Sequence, residues 1–452
     1  MNRINTAKIG WLLGGIALAC LYVNGAIQQS RQVNTDMHRT DQSAYMAYAK
    51  ALAESNYTYI GDRNRMPLYP FLQSLLYEPG LSDEDFFVRG KRLNIALSVV
   101  FLIGLFFILQ KHLPLMAATN LILITAFTVF IFKAGFFQAE LFFYFLNFCC
   151  FLLMNKLLHR PKWQWGVLTG VMLGMAHLTK ASVLAGLVLF LAVAVLQEAY
   201  KLYRQKRSQD TGTPRTKKQL IMNLVSIACV AIMFLATVGR YISNSKKIYG
   251  SYFYNVNSTF YMWYDSWEEA KEGTRAHGDR VGWPDMPAEL IPSPSKYLRE
   301  HSTQQIADRF LKGTSEIMNT AMGSYGYFRY FFTYLMFCLY MMIVDHQLTR
   351  RFFRQYAFLF LFNLMYFAVY LSLYAWYTPI NSGNRFTLAQ FLPLMFALSF
   401  VIFRLYSKQR RVPYEKGQSA LVKAFTTIVA ILLVYDVYIL LSQKISTMYG
   451  GW

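Results

Sequence analysis

Long apolar runs, each about the thickness of a bilayer as a helix, alternate with short polar connectors along almost the whole chain. The runs are Ile9–Ile27, Leu93–Leu109, Pro114–Ala134, Leu141–Leu158, Trp165–Leu178, Ser182–Tyr200, Leu220–Arg240, Tyr327–Val344, Tyr356–Tyr374, Leu388–Phe403 and Ala424–Leu441. About eleven spans of this kind predict an all-α polytopic membrane protein, since a helix satisfies its own backbone groups in hydrocarbon. The reading divides the chain into a transmembrane module over residues 1–240, a cap loop over 241–326 and C-terminal transmembrane helices over 327–452.

The polar remainder is uneven. Residues 28–92 form a large first loop, and within it Tyr45, Tyr48, Ala49 and Leu52 recur at helical spacing behind Asp41. Pro67 and Pro70 then open a second short helix with Phe71, Leu72, Leu75 and Leu76 on one face. Both helices are expected to lie flat at the membrane interface. In the cap loop, residues 255–267 are rich in aromatics, and Ser293 with Pro294 begins a polar amphipathic helix through about Leu311.

Charge orients this pattern. The connector 198–219 carries Lys201, Arg204, Lys206, Arg207, Arg215, Lys217 and Lys218 against Glu198 and Asp210, which places it in the cytoplasm. Alternation then puts Arg3, Lys8, Arg160, Lys162, Arg350, Arg351, Arg354, Lys408, Arg410, Arg411, Lys416 and Lys423 on the same side, and both large loops outside. Much of the net charge of +21 is thereby topology and contact with anionic lipid, and no nucleic-acid partner is expected. The first run reads as a retained span, the alternative being a cleaved signal peptide. All five cysteines fall inside spans, as small packed apolar groups.

Four segments resemble one family. "TDQSAYMAYAKAL" is similar to a D-x-x-x-Y opening of the first outer loop, and "RNRMPLYPFLQSLLY" to an R-x-P-L-Y-P second helix. "AGFFQAELFFYFLNF" places an acid at the start of the fourth span, and "GVLTGVMLGMAHLTKASVLAGLVLFL" resembles a G-x-x-x-G-x-A-x-x-T-K junction between the fifth and sixth. In order and side of the membrane these resemble GT-C fold glycosyltransferases that use polyprenyl-phosphate sugars, of the protein O-mannosyltransferase and lipid A aminoarabinose transferase-like branch. Two departures stand out. "SNSKKIYGS" has Asn244 and Ser245 where the family often has Arg-Asn, and the large soluble C-terminal domain of some members is absent.

The resemblance implies an inverting glycosyltransferase (a hexosyl- or pentosyltransferase) that moves a sugar from a polyprenyl phosphate, such as undecaprenyl phosphate, to a glycan, lipid or protein acceptor. The expected setting is the bacterial inner (plasma) membrane, with the N-terminus cytoplasmic and the active site on the outer face, in the building of cell-envelope glycans. Asp41 is the implied base, with Asp36 as understudy; the bland alternative is that Asp41 only caps a helix. Glu140 would orient the acceptor, position Asp41 or share a divalent ion with it, unless it merely pairs with Lys133. Lys180, Arg65 and Arg385, with Arg63 and Arg240 behind them, are candidates for the donor phosphate, against snorkelling to lipid head groups. Tyr45, Tyr69 and Asp36 are candidates for the acceptor or sugar. No cofactor is required on this reading, a divalent metal being left open, and no metal-site spacing occurs. His177 reads as a packed residue, and Asp436, deep in the last span, faces either Arg329 or a water pocket. Other classes remain: a transporter or flippase of lipid-linked sugars, or an O-antigen ligase or polymerase-like glycan transferase.

Overall fold

A computed structural model describes residues 6–59, 62–207, 217–324, 326–344, 346–380, 383–409 and 420–448, and among these all regular structure is helical. Arg3, Asp210, Arg215, Arg410, Arg411 and Lys416, used above for orientation, lie outside the described residues. Nine helices among the described residues are long and apolar enough to cross a membrane, and the chain is an integral, multi-pass, all-α protein. The other two expected spans fall in the helices Thr6–Gln32 and Trp163–His177, the latter only 15 residues long.

Helix Trp163–His177 holds its place by close approach to helix Lys217–Tyr249. A Cβ on Gly166 would come within 2.4 Å of the Ser226 carbonyl oxygen, and one on Gly170 within 2.6 Å of that of Val230. Small residues four apart let two backbones touch where hydrophobic driving force between helices is weak.

The first loop folds onto the bundle. Helix Gln42–Glu54 buries the whole expected stripe, but against protein: Tyr45, Met46 and Ala49 pack with Tyr69, Phe86, Phe87 and Phe137. The second short helix, Leu68–Ser74, turns Tyr69 and Gln73 inward and leaves Phe71 and Leu75 exposed. Its inward face is polar because it binds Asn94, which donates to the Tyr69 hydroxyl at 3.0 Å and to the Phe136 carbonyl. The helix starts beside the Trp163–His177 helix, through Leu68 N–H to the Leu178 carbonyl at 2.8 Å.

The cap differs from the single helix expected over 293–311. Helix Pro294–Glu300 stops at His301, and a new helix, Thr303–Gly323, starts with a capping box formed by Ser302 and Gln305. The reciprocal bonds of that box satisfy amides at the new start, so the chain breaks and turns instead of running on. The cap is tied to the first loop by Val256 N–H to the Arg63 carbonyl at 3.0 Å and the Asn255 amide to the Asn64 carbonyl at 2.9 Å.

Candidate functional site

A pocket of about 280 Å³ opens where the first loop, the cap and three helix ends meet, and Asp41, Tyr45, Arg65, Lys180, Tyr377 and Arg385 are among the residues that line it. Asp41 stands just before helix Gln42–Glu54, yet its side chain makes no capping bond. Its two oxygens go elsewhere: Oδ1 accepts from Arg65 at 3.0 Å and Oδ2 from Arg385 at 2.7 Å. The next residue fixes its position. Gln42 exchanges two 2.9 Å amide bonds with Asn34 and accepts from the Phe137 N–H at 2.9 Å, pinning the helix start to the turn that precedes Glu140.

The charges then alternate around the pocket. Arg65 also reaches Asp62 at 3.5 Å, Arg385 comes within 4.0 Å of Glu140, and Glu140 pairs with Lys180 at 2.7 Å. Arg385 is held by its backbone, whose carbonyl accepts from the Tyr144 hydroxyl at 2.8 Å. Lys180 is held by its N–H on the Ala176 carbonyl at 2.8 Å, at the frayed end of the Trp163–His177 helix. Glu140 is 2 % exposed and sits behind Lys180 at the first turn of helix Glu140–His159, where a helix dipole favours a carboxylate. Its second oxygen is buried without a hydrogen-bond partner among the described residues.

Burial would raise the Asp41 carboxyl, but Arg385 and then Arg65 outweigh it and hold the group at about 2. Burial also works against both guanidiniums, and Asp41 beside each keeps them firmly protonated. Burial pulls the Lys180 ammonium below its ordinary value against the opposing attraction of Glu140. The result is a carboxylate certain to be charged and three cations facing one small cavity. Such a cavity can hold an anionic phosphate in forked contacts beside a proton acceptor.

The remaining candidates separate. Tyr45 lines the pocket, with Arg65 5.5 Å from its ring centre. Tyr69 is buried one layer deeper, its ring edge-on to Tyr45 at 5.3 Å. Arg63 turns away from the pocket to Asp279 and the Tyr261 hydroxyl in the cap. Arg240 is exposed on helix Lys217–Tyr249, and Asp36 is exposed and accepts from the His38 N–H at 2.8 Å. Lys133 does not pair with Glu140 but lies 5.6 Å from the Phe136 ring centre. His177 is packed among Phe234, Tyr241 and Phe253, and Asp436 is bound by Arg329 and by the Tyr330 hydroxyl at 2.9 Å.

An ion shared by Asp41 and Glu140 would have to displace the Arg385 guanidinium that stands between them. Among the described residues no group of three or more His, Cys, Asp or Glu side chains gathers as a metal site.

Sequence reasoning named none of the cap residues that reach the pocket. Asn255, Asn257 and Ser258 line it beside Asn64 of the first loop, and the Asn257 amide donates to the Asn64 side chain. Met262 lines it too, held by Arg309 from the cap helix Thr303–Gly323.

Residues 67–209, less than half of the chain, match the family model described as dolichyl-phosphate-mannose-protein mannosyltransferase. No curated protein sequence matches the chain. Among solved structures, the crystal structure of the Archaeoglobus fulgidus oligosaccharyltransferase, tethered with an acceptor peptide, is similar at 13% identity and a TM-score of 0.47. That comparison covers 97% of this chain and 55% of the other, so the chain spans about half the length of that protein. The matched stretch contains Glu140 and Lys180 and begins just after Arg65. That stretch of an all-helical membrane chain is thus similar to membrane mannosyltransferases that use a lipid-phosphate sugar.

Proposed function

We propose that the chain is an inverting glycosyltransferase that moves a sugar from a polyprenyl phosphate to an acceptor hydroxyl at the outer face of the membrane. The observation that carries this reading is Asp41 clasped between Arg65 and Arg385 in a pocket that Lys180 also lines. The acceptor oxygen attacks the anomeric carbon from the face opposite the phosphate, and the bond from that carbon to the phosphate oxygen breaks. Asp41 takes the hydroxyl proton. Arg65, Arg385 and Lys180 stabilise the departing polyprenyl phosphate, a good leaving group that needs no general acid.

At rest, Asp41 is a weak base, because a carboxyl held at about 2 binds a proton poorly. The donor supplies the remedy. Its phosphate competes for the same two guanidiniums, and as they turn toward it Asp41 loses stabilising charge and its proton affinity climbs. The base is therefore switched on by donor binding. Glu140 acts through Lys180 and Arg385, keeping both cations charged and oriented.

The test is turnover of purified protein in nanodiscs with polyprenyl-phosphate sugars and candidate acceptors, followed by the anomeric configuration of the product. An inverted product that vanishes in Asp41→Asn supports the reading. A retained configuration, or full turnover in Asp41→Asn, removes it.

A further inference from the structure

A short basic helix borders an apolar groove at the far end of helix Ala357–Tyr377 from the Asp41 pocket. The helix His346–Gln355, "HQLTRRFFRQ", lies between the membrane helices Tyr327–Val344 and Ala357–Tyr377. The Thr349 hydroxyl donates to the Met342 carbonyl at 3.0 Å, folding the short helix back on its predecessor. Phe352 is buried and meets the Tyr356 ring at 5.0 Å, while the Phe353 ring meets Phe360 at 4.2 Å. With those rings as anchors, Arg350 and Arg354 stay exposed.

A groove of about 900 Å³ runs along this junction. Leu339, Met342, Ile343 and Phe353 give it an apolar wall, and Arg350 and Arg354 line it as well. Among the described residues neither arginine pairs with a carboxylate. Tyr377, at the other end of Ala357–Tyr377, lines the Asp41 pocket, so the groove is about 30 Å from that pocket along the helix.

We propose that this groove binds one anionic phospholipid, its head-group phosphate held by Arg350 and Arg354 and one acyl chain laid along Leu339, Met342 and Ile343. The charge complementarity is direct: two exposed guanidiniums, paired with no carboxylate among the described residues, select an anion that also brings an apolar chain. An amphipathic basic helix alone would favour any anionic surface; the adjoining apolar wall makes a discrete site. The lipid would brace the hinge between the two membrane helices from the side away from the chemistry.

The experiment is native mass spectrometry and thermal unfolding of the full chain in neutral detergent, with added phosphatidylglycerol, phosphatidylcholine or inorganic phosphate. One phosphatidylglycerol should be retained per chain at least about tenfold more than phosphatidylcholine and should raise the melting temperature. Arg350→Gln with Arg354→Gln should remove that preference, and Ile343→Trp, which fills the apolar wall and leaves both arginines, should lower retention too. Equal retention of the two lipids, or unchanged retention in the arginine double variant, overturns the proposal. Equal protection by inorganic phosphate overturns it as well, since the apolar wall would then play no part.

Discussion

Asp41 and Asp265 each sit between two basic side chains, in different surroundings. Asp41 lies between Arg65 and Arg385 in the pocket; Asp265 lies between His301 at 2.7 Å and Arg309 at 2.9 Å in the cap. In the cap every nitrogen of Arg309 has a partner. Arg309 donates through Nε and Nη2 to the Trp376 carbonyl and through Nη2 to that of Met262, and its guanidinium lies 5.0 Å from the Tyr297 ring centre and 4.5 Å from that of Trp376. At the pocket, Arg65 keeps a buried Nε without a partner among the described residues, and its other nitrogens serve carboxylates beside an open cavity. A finished network is a latch; an unfinished one at a cavity is waiting for a ligand.

The sharpest way to break this comparison is to neutralise each acid in turn. Asp41→Asn should cut turnover by about 10²–10⁴, the usual scale for losing a general base, and should lower the melting temperature as well, since its ion pairs with Arg65 and Arg385 are lost. Asp265→Asn should instead loosen the cap and cost less than about tenfold in turnover, read from the same initial rates. If the two losses are equal, the division between latch and site fails.

Next in size is the support behind the pocket. Lys180→Met leaves Glu140 buried with Arg385 at 4.0 Å as its remaining cation, a loss of about 3 kcal/mol for a broken buried pair. Adding Glu140→Gln should restore most of the stability but none of the activity. Thermal unfolding together with rates separates the two effects, and a double variant no more stable than Lys180→Met would argue against the pair.

How far the sequence disclosed this follows from what each residue depends on. The spans and the Tyr45, Tyr48, Ala49, Leu52 stripe were legible because burial imposes a local period. Glu140 and Lys180 were legible because a charge at the end of an apolar run is locally odd. Arg309 was not, since its partners are backbone carbonyls at Met262 and Trp376, and nothing in its own helix announces them. Arg63, placed behind Arg65 as a phosphate candidate, faces the other way, to the cap and not to the pocket. Residues two apart share a side only in a strand, and this bend is not one. The stripe also predicted burial without saying against what, which is why protein took the place expected for lipid.

The pH dependence refines the comparison. Asp41 has its folded value lowered to about 2, so its ion pairs stabilise the fold fully above the ordinary carboxylate range and fade only as pH falls toward 2. In the free enzyme, kcat/KM should therefore show no acid limb from this group above about pH 4. Once the phosphate draws the arginines away, kcat should show an acid limb at higher pH. Coincident limbs in the two profiles would mean that donor binding leaves the base unchanged.

The smallest expected effect lies in the cap. Burial works against a charged His301, but the Tyr297 carbonyl on Nδ1 and Asp265 on Nε2 raise its proton affinity above the ordinary histidine value. A raised folded value means the stabilisation is complete below about pH 6.5 and is lost as pH rises through the folded value. Asp265 is 46% exposed, so solvent screens the pair and the gain is slight. His301→Gln should lower the melting temperature by about 1 °C at pH 5.5 and by less at pH 9. Because Arg309 still grips Trp376 and Met262, the pocket should keep its shape, and turnover at pH 9 should match that of the parent. A pH-independent loss would show that His301 acts by stacking on Tyr297, 3.8 Å between ring centres, and not through its charge.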